Sequence, residues 1–380
     1  MTERTPAPEP GIYPDVPFDE YAAWDAVNHS TLKTAEVSLE RYKHCRDTGG
    51  GVDSAARLEG RVLHAYLLEP AVAATRYVAT PALRPDLVKC EDSEATIKAT
   101  DNAGRAFIVA TGRGKARRTW PVTLEPELDD EGWYMGGDLP SIPPGLVKVE
   151  MKPWTNAAKF CSHWCDELRA KGGEVIPHAT LEMCKGMAGR MLEVPDVQEL
   201  FDGADFETSI VWVDKPTGLT CKARLDAMKI GSVEINIPDV KSCFGSVGHD
   251  MFAWTVKKWS YASQAAFYID GLRAALTAKG EPPDGLMSFV FLASEKTPPY
   301  TPALWELLDE YQDGLEVCRP GSEAWLSYGR ALYRKWLGNV AQAMKHDFWP
   351  GYFSAPEQFP QRQELLVPSN LQLIVERNEV

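Results

Sequence analysis

The chain has 380 residues, of which 44% are hydrophobic and 25% charged, a composition that excludes collagen, coiled coil and wholesale disorder. Its 40 basic and 54 acidic side chains give a formal net charge of −14, so a polyanion would have to enter a locally basic cleft. There is no run of about 18 apolar residues and no basic and apolar signal pattern at the N-terminus. We therefore expect neither a membrane-spanning helix nor secretion.

Two helices are predicted after a polar, proline-rich lead-in. The first begins near Ser30, which can serve as its N-cap. The second begins near Asp53 or Ser54 and shows apolar residues at three- and four-residue steps. It ends at Pro70, because proline cannot continue a helix.

Residues 90–150 follow a different pattern, in which a basic stretch at 113–118 is followed by an acidic stretch at 125–131 and Gly and Pro punctuate both. We interpret this part as an insertion or a small β subdomain. The basic stretch fits either contact with a nucleic-acid backbone or a solvated loop. Helical periodicity returns over about 155–170 and 178–193.

The central part of the chain is rich in strand signals. Strands are predicted over Phe206–Val213, Thr220–Met228, Val233–Lys241 and, as a nearly continuous apolar run, Met287–Ala293. Helices are predicted over about 251–274, 302–318 and 322–346. This order predicts a mixed α/β (α+β) fold in which a central mixed β-sheet is flanked by helices.

The sequence Asp239-Val240-Lys241 ends one of these strands. Residues two apart in a strand share a face, so Asp239 and Lys241 point the same way and Val240 points into the sheet. Such a carboxylate suits a hard divalent ion that activates water, while the ammonium orients the water or steadies developing charge. The alternative is an ordinary surface ion pair, since D-x-K is a common pattern.

A second carboxylate is needed for such an ion, and Asp226 is the candidate. A two-residue turn at Ile230-Gly231 would pair Asp226 with Ile235. Asp239 would then lie roughly 13 Å further along the strand. Pro238 is a candidate bend that would bring the carboxylates together, and the register stays open.

The second predicted helix carries His64, with Arg57 and Arg61 seven and three residues before it. A lone helical histidine is usually packed in the core or exposed. The alternative, a metal-binding histidine beside two phosphate-binding arginines, fits a nuclease cleft. Glu69 is an alternative ligand to His64.

The helix after the D-x-K strand places Tyr261, Gln264 and Tyr268 on one stripe. The stripe is typical of an amphipathic helix with an aromatic face. A glutamine amide beside a D-x-K site can also hydrogen-bond water or phosphate.

Taken together, these motifs resemble the RecE, or exodeoxyribonuclease VIII-like, branch of the PD-(D/E)XK nucleases of phages and prophages. Eight segments match in order: Ser30-Thr31-Leu32, Leu58 to Pro70, Glu207-Thr208-Ser209-Ile210, Cys221 to Asp226, Asp239 to Ser242, Tyr261 to Tyr268, Glu295 to Tyr300 and Trp349 to Tyr352. The resemblance covers roughly 28–80 and 155–355, and it implies a restriction-endonuclease-like core with an insertion.

The resemblance also implies roles for individual residues. It makes His64, Asp226, Asp239 and the Val240 carbonyl metal ligands, for Mg²⁺ with Mn²⁺ as a substitute. It makes Lys241 the catalytic lysine. The site would be lined by Glu207, Arg224, Tyr261 and Gln264, with Arg57, Arg61, Arg224 and Tyr261 contacting DNA.

The activity implied is 5′→3′ digestion of linear double-stranded DNA, which leaves 3′ single strands for a recombination annealing protein. A homo-oligomeric ring around DNA is implied in the same way. Two alternatives stay open: a related nuclease for single-stranded, nicked or flap DNA, and a non-catalytic DNA-binding relative.

We expect a nuclease domain over 28–355, between a lead-in over 1–27 and a tail over 356–380. No C-x-x-C pair occurs among the eight cysteines, which favours reduced thiols in the cytoplasm.

Overall fold

The computed structural model describes residues 4–49, 54–90, 96–98, 104–111, 116–121, 126–135, 147–155, 159–170, 172–232, 234–280, 285–312, 315–317 and 320–351. Within these ranges, no helix is long and apolar enough to cross a membrane.

The helices of the described residues are α1 (Phe18–Ala23), α2 (His29–Leu32), α3 (Leu39–Thr48), α4 (Ala55–Leu68), α5 (Pro70–Arg76), α6 (Lys159–Ala170), α7 (His178–Leu192), α8 (Pro195–Phe201), α9 (His249–Lys258), α10 (Tyr261–Ala278) and α11 (Pro320–His346), with a 3₁₀ turn at Lys33–Glu36.

The strands are β1 (Thr5–Pro6), β2 (Gly11–Tyr13), β3 (Trp24–Asp25), β4 (Val27–Asn28), β5 (Tyr77–Ala79), β6 (Leu83–Cys90), β7 (Thr96–Lys98), β8 (Ala106–Thr111), β9 (Ala116–Pro121), β10 (Val147–Pro153), β11 (Glu174–Ile176), β12 (Asp205–Val213), β13 (Thr220–Ile230), β14 (Glu234–Cys243), β15 (Gly285–Glu295), β16 (Pro302–Gln312) and β17 (Leu315–Val317).

An eight-stranded mixed sheet forms the centre of the fold. Its strand order is β17–β16–β15–β14–β13–β12–β2, and β4 runs alongside β13. Strands β14 and β15 are parallel, whereas β12–β13, β13–β14 and β15–β16 are antiparallel. Because parallel neighbours need a crossover, the chain passes through α9 and α10 between β14 and β15. The predicted fold class, a mixed sheet flanked by helices, is confirmed.

Strand β15 is covered by helices on both faces. Phe289 and Phe291 are buried in a core that includes residues of α10 and α11, and Val290 and Leu292 are buried in a second core that includes residues of α4 and α7. Side chains alternate between the two faces of a strand, so only an apolar run fits this position. The predicted buried central strand is therefore confirmed.

The helix predicted over 302–318 is wrong, because most of this segment is strand. Its sequence, PALWELLDEYQ, is rich in good helix formers. In the fold it pairs antiparallel with β15, from Pro302 opposite Ser294 to Tyr311 opposite Gly285. Ladder pairing beside a buried strand outweighs a local preference worth only tenths of a kcal/mol per residue.

Two other predicted helices are interrupted. Ser30 is not the N-cap of the first predicted helix, because α2 begins at His29 with Asn28 at the N-cap position. The helix expected from Ser30 onward is divided into α2, a 3₁₀ turn and α3. Ser38 caps α3, its side chain accepting a hydrogen bond from the Arg41 amide. The helix expected over 251–274 is two helices, α9 and α10, separated by Ser260 at φ +55°. The predicted start of α4 is confirmed, since Ser54 accepts a hydrogen bond from the Arg57 amide.

The packing of α11 on α10 makes the first testable prediction. A Cβ atom added at Gly329 would lie 2.1 Å from the Ala262 carbonyl oxygen of α10, whereas one at Gly338 would meet nothing within 4 Å. We expect Gly329→Ala to lower the free energy of unfolding by about 2–3 kcal/mol, because the two backbones must separate. Gly338→Ala, the matched control on the same helix, should raise it by up to about 1 kcal/mol. Urea denaturation of both variants tests this, and equal effects would contradict the close approach.

Candidate functional site

The carboxylates of the site lie on neighbouring strands, and their register differs from the one expected. The hairpin pairs Ile230 with Ile235, so the same register carried onward places Asp226 opposite Asp239. The expected pairing of Asp226 with Ile235 is wrong because the turn is centred later in the sequence. Asp226 and Asp239 are thus neighbours on adjacent strands. The Val240 N–H donates a hydrogen bond of 2.8 Å to Asp226 Oδ2 and ties the strands together there.

Glu207 occupies the corresponding position on β12. The ladder pairs Phe206 with Ala227 and Thr208 with Leu225, so Glu207 lies opposite Asp226. Its φ of +51° is in the left-handed region, which costs a non-glycine residue about 1 kcal/mol or more. Arg224 Nε donates to Glu207 Oε2 at 2.5 Å. Arg224 therefore holds the Glu207 carboxylate in place.

Three potential metal ligands meet at this point. His64, Glu207 and Asp226 each offer one ligand atom, and these atoms lie within 4.8 Å of one another. His64 Nδ1 of α4 is 3.5 Å from Asp226 Oδ1. The sequence left two candidates for this metal ligand, His64 and Glu69, and the group contains His64. One imidazole and two carboxylates form a donor set suited to a divalent cation.

Asp239 is next to this group and is nearly inaccessible, with 2% of its surface exposed. Its Oδ1 accepts a hydrogen bond of 2.8 Å from Gln264 Nε2. Its Oδ2 is paired with the Lys241 ammonium. A buried carboxylate beside three further ligand atoms fits a bound divalent ion.

Lys241 lies between Asp239 and the ring of Tyr261, whose centroid is 4.7 Å from the ammonium nitrogen. Burial lowers the pKa of Lys241, but the Asp239 carboxylate and the Tyr261 hydroxyl outweigh burial and raise it above its usual value. Lys241 therefore carries a positive charge at neutral pH. Val240, between Asp239 and Lys241 in sequence, is buried in the core shared with α4 and α7.

The arginines predicted to contact DNA differ in position. Arg61 forms an ion pair of 3.0 Å with Glu174 of β11, so its guanidinium is engaged away from the ligand group. Arg57 is exposed at the first turn of α4. Arg224 also donates to the Val16 carbonyl at 2.6 Å, which makes it part of the scaffold around Glu207.

Asp226 makes a second testable prediction, on the protein without metal. Burial and the neighbouring Asp239 and Glu207 carboxylates raise the pKa of Asp226 from 3.8 to about 6, although His64 and Lys241 act in the opposite direction. The folded state then binds the proton more tightly than the unfolded state, so stability is lost as pH rises from about 4 to above 6. Asp226→Asn should raise the free energy of unfolding by about 2–3 kcal/mol at pH 7.5 in chelator.

The gain should shrink as pH falls through 6, because wild-type Asp226 becomes neutral as well. Urea denaturation across this pH range measures it. Asp205→Asn, at the exposed start of β12, is the control and should change little. A variant less stable than wild type at pH 7.5 would contradict the raised pKa.

A groove of about 950 Å³ opens beside the ligand group. It is lined by His64, Lys241, Phe244, Trp254, Lys257, Lys258, Trp259, Tyr261 and Lys296, among others. Lys296 is buried and paired with Glu59, at 2.5 Å. Six of these lining residues were not predicted as site residues from the sequence: Phe244, Trp254, Lys257, Lys258, Trp259 and Lys296. The signal was present in Trp254-Thr255-Val256-Lys257-Lys258-Trp259, where aromatic residues flank lysines shortly after the D-x-K strand.

No curated protein matches the chain. A solved structure from Eubacterium rectale, provisionally named an exonuclease, is similar at 13% identity and a TM-score of 0.32, over 56% of this chain and 73% of that one. The protein SSO0001 is similar at 11% identity and a TM-score of 0.22, over 53% and 81%.

One protein family matches residues 164–355, just over half of the chain. It is described as a PDDEXK-like domain of unknown function, DUF3799. The match includes β12, β13, β14 and α10, and hence Glu207, Asp226, Asp239, Lys241 and Gln264, whereas His64 lies before it. The chain therefore belongs to the PDDEXK-like family DUF3799.

Proposed function

We propose that the protein is a divalent-metal-dependent DNA nuclease that digests linear double-stranded DNA from its ends. One observation carries the nuclease proposal: the ligand atoms of His64, Glu207 and Asp226 converge beside the buried Asp239–Lys241 pair. Digestion in the 5′→3′ direction, leaving 3′ single strands for recombination, rests on the eight motifs that resemble the RecE-like nucleases.

His64, Glu207 and Asp226 would hold Mg²⁺, or Mn²⁺ in its place, with Asp239 and the Val240 carbonyl as further ligands. When bound, the ion supplies a Lewis acid for a phosphoryl oxygen and lowers the pKa of a bound water.

The protein residues do the positioning. Lys241, charged and held by Asp239, can donate a hydrogen bond to the attacking water or to a non-bridging phosphate oxygen. Gln264 fixes the Asp239 carboxylate through Oδ1, and Arg224 fixes Glu207. Arg57, which is exposed at the first turn of α4, would contact a phosphate further along the strand.

The resemblance alone supports three further proposals. These are a homo-oligomeric ring around DNA, transfer of the product strand to a single-strand annealing protein, and a nuclease domain over 28–355. A cytoplasmic location is proposed from the cysteine pattern, which favours reduced thiols.

The test is digestion of end-labelled linear and covalently closed circular double-stranded DNA with Mg²⁺. We expect linear DNA to be consumed from its 5′ ends and circles to survive. Cleavage of circular DNA would support the proposed nuclease activity and contradict the proposal that it acts from DNA ends. Cleavage only of single-stranded, nicked or flap substrates would replace the proposed substrate. Inactivity with both Mg²⁺ and Mn²⁺ would identify a DNA-binding relative instead.

A further inference from the structure

Three of the aromatic side chains that line the groove have at least half of their surface open to solvent. Phe244 is 80% exposed, Trp254 is 64% exposed and Trp259 is 50% exposed. They lie in the segment from the end of β14 to the end of α9, together with Lys257 and Lys258. We refer to these five residues as the aromatic–lysine surface. Exposed aromatic rings clustered in one groove mark a binding surface rather than a folding requirement.

Each ring of this surface has a lysine close to its face. The ammonium of Lys257 is 5.2 Å from the ring centroid of Trp254, and that of Lys258 is 5.3 Å from Trp259. The Lys296 ammonium is 4.2 Å from the ring centroid of Phe244. These cation–π contacts hold flat rings and positive charges next to each other while the rings remain exposed.

The groove is basic, although the net charge of the protein is −14. The described residues that line it include four lysines and no aspartate or glutamate. Lys241 is paired with Asp239 and Lys296 with Glu59, so Lys257 and Lys258 supply the positive charge of the groove. A concave surface of one sign concentrates ligands of the opposite sign. The groove is therefore complementary to a polyanion that also offers flat apolar faces.

A DNA strand with unpaired bases has both properties. In a duplex the base faces are stacked on one another, and only edges and phosphates are accessible. Aromatic side chains in a basic groove bind single strands by stacking on the freed bases. Lys241 and His64 line the same groove, so a strand on this surface passes the ligand group.

We propose that the aromatic–lysine surface binds unpaired nucleotides of the strand that is cut, with bases stacked on Trp254 and Trp259 and phosphates paired with Lys257 and Lys258. The inference rests on the proposed nuclease function and deepens it. The substrate is a strand that is single-stranded where it crosses the groove, so a duplex end must separate before it is cleaved.

Binding is measured with the full chain in Ca²⁺, by fluorescence anisotropy of a labelled oligo-dT 20-mer and of an abasic 20-mer with the same phosphates. The wild type should bind oligo-dT at least about tenfold more tightly than the abasic strand. Trp254→Ala and Trp259→Ala should each weaken oligo-dT binding by about 5- to 150-fold and leave abasic binding nearly unchanged. Phe348→Ala is the matched control, since Phe348 is 54% exposed and does not line the groove.

The salt dependence of oligo-dT binding tests the lysines separately. Each phosphate contact contributes about 0.7 to the slope of log affinity against log salt concentration for single strands. Combined Lys257→Gln and Lys258→Gln should lower the slope by about 1.4. Lys279→Gln, exposed at the end of α10, should leave the slope unchanged.

Equal binding of oligo-dT and the abasic strand by the wild type would overturn the proposal, and this comparison needs no variant. Tryptophan variants that bind like Phe348→Ala would overturn it too. The proposal would also be overturned if the tryptophan substitutions changed only the sedimentation of the free protein. That result would mean that a second copy of the chain occupies the surface. If the protein bound DNA in a base-dependent way but did not cleave it, only the proposed nuclease function would be overturned. The aromatic–lysine surface would then remain a DNA-binding site.

Discussion

Asp239→Asn is expected to lower the rate of DNA hydrolysis by about 1,000-fold. The carboxylate is 2% exposed, accepts a hydrogen bond from Gln264 on Oδ1 and pairs with Lys241 on Oδ2. Asparagine has the same shape as aspartate but no charge. In either orientation of its amide, the NH₂ group faces a hydrogen-bond donor, which is Gln264 Nε2 or the Lys241 ammonium. Losing one preorganised charged group in a buried site costs about 10²–10³ in rate, and weaker ion binding adds to this.

The measurement is the initial rate on linear double-stranded DNA at saturating Mg²⁺, beside oligo-dT binding in Ca²⁺. Binding should persist, because the aromatic–lysine surface is unchanged. Asp205→Asn, an exposed aspartate on β12, should retain full activity. If Asp239→Asn cleaved DNA at the wild-type rate, the proposed site would be wrong even if the protein were a nuclease.

Lys241→Met is expected to lower the hydrolysis rate by at least about 100-fold while ion binding survives. Methionine keeps the apolar stem beside Tyr261 but removes the ammonium that is proposed to contact water or phosphate. Lys241 is not one of the three potential metal ligands, which are His64, Glu207 and Asp226. The two substitutions should therefore differ in their effect on Mn²⁺ binding, measured by calorimetry. Asp239→Asn should weaken it, and Lys241→Met should leave it unchanged.

The lysine variant should also lose stability in chelator. Removing one partner of a buried ion pair leaves Asp239 without its cation, which costs about 3 kcal/mol or more. Added Mn²⁺ should restore part of the loss, because a divalent ion can replace the missing positive charge. Lys279→Met is the control and should match the wild type in rate and melting temperature. A Lys241→Met protein that hydrolyses DNA normally would refute the catalytic role of the lysine.

Several parts of the molecule could be predicted from local sequence. The apolar run at Met287–Ala293 can only be a strand covered on both faces, and it lies between two cores. Ser54 caps α4 as the capping rule predicts. The two-residue period of a strand puts Asp239 and Lys241 side by side, and their ion pair follows from that period.

Other parts depended on contacts between segments distant in the sequence. The segment Pro302–Gln312 has a helical preference and is a strand because β15 offers it a complete antiparallel ladder. The join of β13 to β14 set the register that puts Asp226 opposite Asp239, and a different turn was expected from the residues alone. Glu207 joins His64 and Asp226 through the pairing of β12 with β13.

The division has a physical reason. Burial periodicity, capping and strand alternation are local properties, so a short window of sequence is enough to specify them and, with them, the D-x-K pair. Strand register and the meeting of His64 with Glu207 and Asp226 depend on free-energy differences among long-range pairings. The groove with its aromatic–lysine surface exists only once β14 and α9 come together, so the tertiary structure alone placed exposed tryptophans in the same groove as His64 and Lys241.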